Sequence, residues 1–317
     1  MSRILLTAIG SMAAAPVARR YQALGHAVFG CDIYPREWTA LAGELDFFQA
    51  RLATEGEPYV EQLREAVRRN GLDFLIPLTD PEVDALAPRK AEFRALGCTV
   101  CVPEERVAAL CRRKDTMNRF LAEKQVCRLI PTESAVSGQP CPFPFPAMVK
   151  PRSGRSSLGQ AVAADEKSYQ TALAGREDCI VQPFLEGNIF CVDVARDAFG
   201  HTRAAARQEL LRNKSGLGMT VEVLPGHPLE AVCAAIAEAV GLVGVVNMEF
   251  IRHGDDFFFL EVNPRFSGGV GFSMAAGMDF AEMMLCCHSC GSVEAFPAAP
   301  KHALLARESA IVLTQLR

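Results

Sequence analysis

Near its carboxy-terminal third the chain reads Asn247-Met248-Glu249-Phe250-Ile251, a polar stretch over residues 252–256, then Phe257-Phe258-Phe259-Leu260-Glu261-Val262-Asn263-Pro264-Arg265. Two apolar runs around a short polar turn specify a β-hairpin. A turn centred near Asp255 sets Glu249 opposite Glu261 and Asn247 opposite Asn263. Strand side chains alternate faces, so these four polar groups share one face, and Met248, Phe250, Leu260 and Val262 take the other. Two carboxylates and an amide oxygen on one rigid surface suit Mg²⁺, which takes oxygen ligands and keeps positions for water and phosphate. Arg265 follows at once, a donor fork for a phosphoryl group or an anionic substrate. A lone Glu-x-Asn is more often a solvated hairpin face. Here the polar face sits between very apolar runs, which favours the metal.

A second candidate lies upstream. Lys150 ends the run Ala147-Met148-Val149, and the loop Arg152-Ser153-Gly154-Arg155-Ser156-Ser157-Leu158-Gly159 follows. A strand, loop and strand of this kind lay backbone N–H groups on phosphate oxygens while the lysine supplies a point charge. It is not a Walker A loop, since G-x-x-x-x-G-K-[ST] is absent and no helix follows at once. An ordinary Ser/Gly hairpin turn is an equal reading of this loop alone.

These residues need elements to hold them. With 317 residues the chain can bury a large core and divide into two or three domains. Hydrophobic content of 50% and charged content of 22% describe a globular protein. A net charge of −4 gives no support to nucleic-acid binding. No apolar run is long enough to cross a membrane as a helix. The amino terminus reads as strand, turn and helix rather than as a leader, because Gly10-Ser11 breaks its apolar run. The twelve cysteines form no framework, which fits reduced, buried thiols in a cytoplasmic protein. Cys286, Cys287 and Cys290 cluster without a second ligand pair at zinc spacing.

Strands over residues 4–8, 27–32, 73–78 and 99–102 alternate with helices near 16–24 and 58–69, the pattern of an open, mostly parallel α/β domain. Asp32 ends the second strand as a ribose-binding acid would, but G-x-G-x-x-G is missing after the first. Thr79-Asp80 remains open as a ligand contact at a strand end. After about residue 109 the pattern changes: a helix over 115–123, strands at 147–151, 160–162 and 180–185, then an antiparallel sheet from Phe190 to the hairpin.

In this order, the motifs resemble those of the ATP-grasp superfamily, closest to carbamoyl-phosphate-synthetase-like carboxylate–amine ligases. The set comprises Lys114-Asp115 before a helix, Val149-Lys150-Pro151 with its loop, the hinge Val181-Gln182-Pro183-Phe184-Leu185-Glu186-Gly187, and the strand ending Glu261-Val262-Asn263-Pro264-Arg265. The resemblance implies a Rossmann-like pre-ATP-grasp domain (1–109), a small ATP-grasp subdomain with the phosphate loop (110–185) and a carboxy-terminal subdomain with antiparallel sheet and Mg²⁺ site (186–317), an α/β and α+β architecture. It implies that Lys114, Lys150, Ser156 and Ser157 contact ATP, that Gln182, Pro183, Phe184 and Leu185 line the adenine pocket, and that Glu249, Glu261 and Asn263 hold Mg²⁺ or Mn²⁺. Arg265 and Arg207 would stabilise the reacting groups, with Arg203 and Arg212 weaker candidates read as solvated charges. The family's ribose-binding acid is Ile189 here, with Glu186 a substitute. Glu249 stands where close relatives often carry Gln.

The implied activity is ATP-dependent joining of a small-molecule or amino-acid carboxylate to an amine, or to a thiol, through an acyl-phosphate, with release of ADP and phosphate. Carboxyphosphate chemistry and a non-catalytic nucleotide-binding protein are the alternatives. Nucleic acid and membrane are not expected partners; a homodimer is allowed. Because the two carboxylates repel, Glu261→Gln is expected to leave stability nearly unchanged.

Overall fold

The computed structural model describes residues 1–154 and 158–315, organised on three sheets. In the amino-terminal part β1 (Arg3–Leu6) is followed by α1 (Ala14–Ala23), β2 (Ala27–Asp32), β3 (Asp46–Gln49), α2 (Glu57–Asn70), β4 (Phe74–Ile76), α3 (Asp80–Leu86), α4 (Lys90–Ala95) and β5 (Thr99–Val100). The strands form a parallel sheet in the order β3-β2-β1-β4-β5. Ile4, Leu5 and Leu6 are fully buried, because helices cover both faces of a parallel sheet and its central strand meets no water. The edge strand β3 escapes sequence reading: Asp46-Phe47-Phe48-Gln49 does not alternate, and its order comes from pairing with β2.

Next come α5 (Glu105–Arg112), α6 (Lys114–Lys124), β6 (Arg128–Leu129), β7 (Glu133–Ala135), β8 (Ala147–Pro151), β9 (Ala161–Ala163), α7 (Glu166–Leu173) and β10 (Cys179–Pro183). A second, antiparallel sheet runs β7-β10-β8-β9. Residue 109 falls inside α5, which serves two cores: Val107 packs beneath the third sheet and Ala108 beneath the first.

The third sheet is built from β11 (Asn188–Arg196), β12 (Thr202–Arg212), β13 (Gly218–Val223), β14 (Gly244–His253), β15 (Asp256–Asn263) and β16 (Ala303–Ala306), with α8 (Pro228–Val240), α9 (Val270–Ala275) and α10 (Phe280–His288) between them. Its order is β16-β13-β12-β11-β14-β15-β6. Only the short β6, arriving from the preceding segment, pairs in parallel. The apolar stripe of α8, including Leu229, Cys233, Ile236 and Val240, packs on its inward face.

One core joins the first and third sheets. Ile4, Leu6, Val28 and Ile76 pack with α1 and with Phe280, Met283 and Met284 of α10. The Tyr21 hydroxyl, fully buried, donates to the Ala281 carbonyl at 2.8 Å, and Arg20 pairs with Asp279 at 2.6 Å. The contact satisfies a polar group that burial would otherwise penalise. Among the described residues no helix is long and apolar enough to cross a membrane.

Candidate active site

The register of β14 and β15 sets Glu249 across from Glu261 and Asn247 across from Asn263. It then shifts before Phe250, which pairs with Phe259. Leu260 is the extra residue of this bulge, so it does not share the apolar face with Met248, Phe250 and Val262; Phe259 takes that place. Phe250 and Phe259 meet edge to face with centroids 5.8 Å apart. Strict alternation misassigns one residue here, because a bulge resets the count while keeping both carboxylates on the polar face.

The Asn263 amide donates to Glu249 Oε1 at 3.3 Å and Glu261 Oε1 at 3.4 Å, and its Oδ1 accepts from Arg265 at 3.4 Å. Burial and the Glu261 charge raise the Glu249 carboxyl to about 7, against the pull of Arg212. Burial also disfavours the Glu261 charge, but Lys114 and Lys150 outweigh it and hold that carboxyl below its ordinary value. Among the described residues no three His, Cys, Asp or Glu side chains group as a metal site. The cysteines at and after the end of α10 are no exception: Cys287 is buried and Cys290, beyond the helix, exposed. The donor set of two carboxylates with Asn263 fits Mg²⁺, which completes its shell with water and phosphate oxygens. Asn263 would then turn its amide to offer Oδ1.

The two lysines converge on the same carboxylates. Lys114, at the start of α6, donates to Glu261 Oε2 at 3.0 Å and to the Gly154 carbonyl at 3.3 Å. Lys150, on β8, is buried; burial lowers its ammonium to about 8, Glu261 counters that, and Lys114 adds to it. Arg152 fastens the beginning of the loop, bridging Asp115 and Asp178 at 2.7 Å each. Ser156 and Ser157, expected on phosphate, lie outside the described residues, as does Arg155.

In the hinge, Gln182 is buried and donates to Thr132 Oγ1 at 2.7 Å, a hydroxyl that also accepts from Asn118. The Phe184 N–H donates to the Pro146 carbonyl, and the Glu186 carbonyl accepts from His253. Glu186 itself is exposed. A Cβ at Gly187 would lie 1.8 Å from the Arg252 carbonyl oxygen, so only glycine lets β11 pass the hairpin at this point.

The arginines are more committed than their positions in the sequence suggest. Arg207 is 1% exposed and donates to Asp193 at 2.6 Å, Ser273 at 3.2 Å and Ser267 at 3.1 Å. Gly269 lies on its guanidinium: a Cβ there would be 2.6 Å from Nη2. Arg265 pairs at two points with Asp80 of α3, 3.1 Å each. Arg212, read from sequence as a solvated charge, is in the site: its Nε lies 3.0 Å from Glu209, and Nη2 lies 3.9 Å from Glu249. Arg203 faces away, donating to the Phe296 and Glu294 carbonyls. Glu209 was missed; its signal was its spacing, two residues from Arg207 on one strand face.

Arg207, Glu209, Arg212, Glu249, Glu261, Asn263 and Arg265 border a cavity of about 780 Å³ between the first and third sheets. One end carries Glu249, Glu261, Arg265 and Arg212. The other is the carboxyl edge of the parallel sheet, including Gly10, Asp32 and Thr79, where open α/β sheets bind ligands. There Asp32 accepts from the Gly10 and Tyr34 N–H groups at 2.7 and 3.2 Å, which shapes the turn after β1.

Comparisons with known proteins give similarity in sequence and fold. A family described as ATP-grasp in the biosynthetic pathway with Ter operon matches residues 175–309. The chain is 27% identical over 280 residues to formate-dependent phosphoribosylglycinamide formyltransferase from Synechococcus sp., covering 78% of this chain and 66% of that protein. It is 26% identical over 286 residues to the enzyme of the same name from Solidesulfovibrio magneticus, covering 83% and 69%. Among solved structures, an ADP complex of N5-carboxyaminoimidazole ribonucleotide synthetase superposes with a TM-score of 0.74 at 14% identity, over 96% of this chain and 79% of that one. Biotin carboxylase from Campylobacter jejuni gives 0.72 at 16%, over 92% and 72%.

The chain is similar to the ATP-grasp family over residues 175–309. Here the lysines, Lys114 near the small sheet and Lys150 on it, meet the large sheet at Glu261. The chain spans about two thirds of the length of the first curated relatives.

Proposed function

We propose that this ATP-grasp enzyme joins a small-molecule carboxylate to an amine, or to a thiol, through an acyl-phosphate, releasing ADP and phosphate. The observation that carries the reading is the meeting of Lys114 and Lys150 with Glu261, whose carboxylate lines the charged end of the cavity beside Glu249. Glu249, Glu261 and Asn263 would hold Mg²⁺. Bound there, the cation neutralises phosphate charge during transfer.

Lys150 and Lys114 bind the phosphates as fixed cations, and ATP relieves the burial that depresses Lys150 by adding negative charge. Gln182, Pro183, Phe184 and Leu185 of the hinge border the base. Arg265, kept in place by Asp80, contributes its positive charge beside the reacting carboxylate. Arg207 acts as a support: Asp193 absorbs its charge, and it holds the segment at Ser267 and Gly269 that walls the cavity. Exclusion of water by these packed walls protects an acyl-phosphate from hydrolysis. In this reading residues 1–109 present one substrate, and 110–185 with 186–317 hold the nucleotide.

A second reading is carboxyphosphate chemistry, favoured by the fold of biotin carboxylase. An ADP-release assay separates them. Release that depends on a carboxylate plus an amine, with a product lighter by water than its two parents, supports the ligase. Release that depends on bicarbonate supports the second reading. Production of AMP and pyrophosphate would exclude both.

A further inference from the structure

At the carboxyl edge of the parallel sheet the rim of the cavity carries exposed apolar side chains beside Asp32 and Thr79. Met12, Ile33, Tyr34, Trp38 and Leu52 are 42%, 40%, 52%, 70% and 49% exposed, and all five line the cavity. Large apolar side chains gathered at one rim mark a binding surface, where single scattered ones would not. Tyr34 and Trp38 are stacked, with centroids 6.1 Å apart and planes inclined by 30°. A 3₁₀ turn over Arg36–Trp38 holds them, entered through Pro35, whose carbonyl accepts from the Trp38 N–H at 3.0 Å. The platform is therefore formed before any ligand arrives, which lowers the entropy lost on binding.

From this geometry we infer that a substrate of this enzyme carries an aromatic ring, which rests on Tyr34 and Trp38 while its charged group points toward the Arg212–Glu249 end. The inference rests on the ligase reading and adds the substrate class. A cavity of about 780 Å³ has the size of a drug-sized ligand site, and a one-carbon acid would leave most of it to water. Stacked rings with an open face favour another π-system over a branched aliphatic group, because offset and edge contacts add to area burial. The chain's own carboxy-terminal stretch does not occupy the platform. The Thr314 hydroxyl donates to the Glu37 carbonyl beside it, yet Ile311 and Leu313 are 103% and 72% exposed.

Trp38 is the single tryptophan of the chain, so its fluorescence reports this site alone. Titration of the full chain with 3-phenylpropionate and with phenethylamine, against hexanoate and hexylamine, is the test. A saturable change with at least one phenyl compound, absent with both aliphatic ones, is expected. It should weaken about tenfold in Tyr34→Ala and return in Tyr34→Phe. Equal responses to phenyl and aliphatic compounds, no saturable response, or a Tyr34→Ala variant with unchanged affinity would overturn the inference. Calorimetry with a non-hydrolysable ATP analogue on the same samples keeps two failures apart. Loss of nucleotide binding by the unmodified chain would defeat the ligase reading, whereas intact nucleotide binding without a ring effect would defeat only the substrate class.

Discussion

Arg265, two residues beyond β15, is held by Asp80 in a two-point ion pair that spans 185 residues of sequence. Asp80 is 2% exposed and opens helix α3 of the amino-terminal sheet. The amino-terminal sheet and α3 thus fix the angle of an arginine that follows β15 of the third sheet. A buried carboxylate accepting from Nε and Nη2 along one guanidinium edge restricts it more than a single contact would.

Breaking that pair from either side strands a charge. Asp80→Asn should lower unfolding free energy by about 2–4 kcal/mol and reduce turnover without abolishing nucleotide binding. Urea unfolding of Asp80→Asn, Arg265→Gln and the double variant forms a cycle. A coupling of at least about 1 kcal/mol is expected; additive losses would mean that the two residues are independent.

Glu261→Gln should remove most turnover, since an amide cannot supply the charge that a carboxylate brings to Mg²⁺. The simple repulsion argument leaves stability unchanged. The Lys114 contact changes that expectation. With Glu261 neutral, Lys114 keeps a buried ammonium without its carboxylate, a loss of about 1–3 kcal/mol. Steady-state turnover at saturating Mg²⁺ and ATP, with a thermal melt, checks both parts, and near-normal turnover would remove the hairpin from the chemistry.

Lys150→Ala and Lys114→Ala should each weaken binding of a non-hydrolysable ATP analogue by about tenfold or more, the size of one lost charge-assisted contact. Their effects on the free protein should differ. Lys150 is held near 8 by burial, so replacing it relieves a desolvated charge; replacing Lys114 leaves Glu261 without its direct partner. Calorimetry for the nucleotide and melting for the free chain distinguish the two. Equal affinity in both variants would place the phosphates elsewhere.

Glu82 gives a pH signature away from the carboxylate pair. Burial raises its carboxyl, with Thr79 donating from hydroxyl and N–H in partial compensation. In the unfolded chain it ionises near about 4.3. Its contribution to stability is therefore complete below that pH and is lost as pH rises through its folded value. Glu82→Gln keeps an oxygen for the capping contacts with Thr79. It should raise the urea midpoint near neutral pH, with little gain at about pH 4. The same difference at both pH values would show that Glu82 folds already ionised.

Much of the site was legible because strand periodicity is local. Alternation along Asn247–Glu249 and Glu261–Asn263 sets the acids and amides on one face wherever the hairpin docks, and Lys150 ends a strand by the same logic. The parallel sheet followed from alternating strand and helix segments. Other features depend on where distant surfaces meet. The bulge at Leu260 answers to packing of Phe259 against Phe250. Arg212 reads as surface until Glu209 and Glu249 face it, and Arg207 becomes a buried support only when Asp193, Ser267 and Ser273 close around it. The cavity, its aromatic rim and the Asp80–Arg265 pair arise from docking one sheet on another. Ion pairs and cavities are properties of juxtaposed surfaces, and local sequence determines the surfaces but not their meeting.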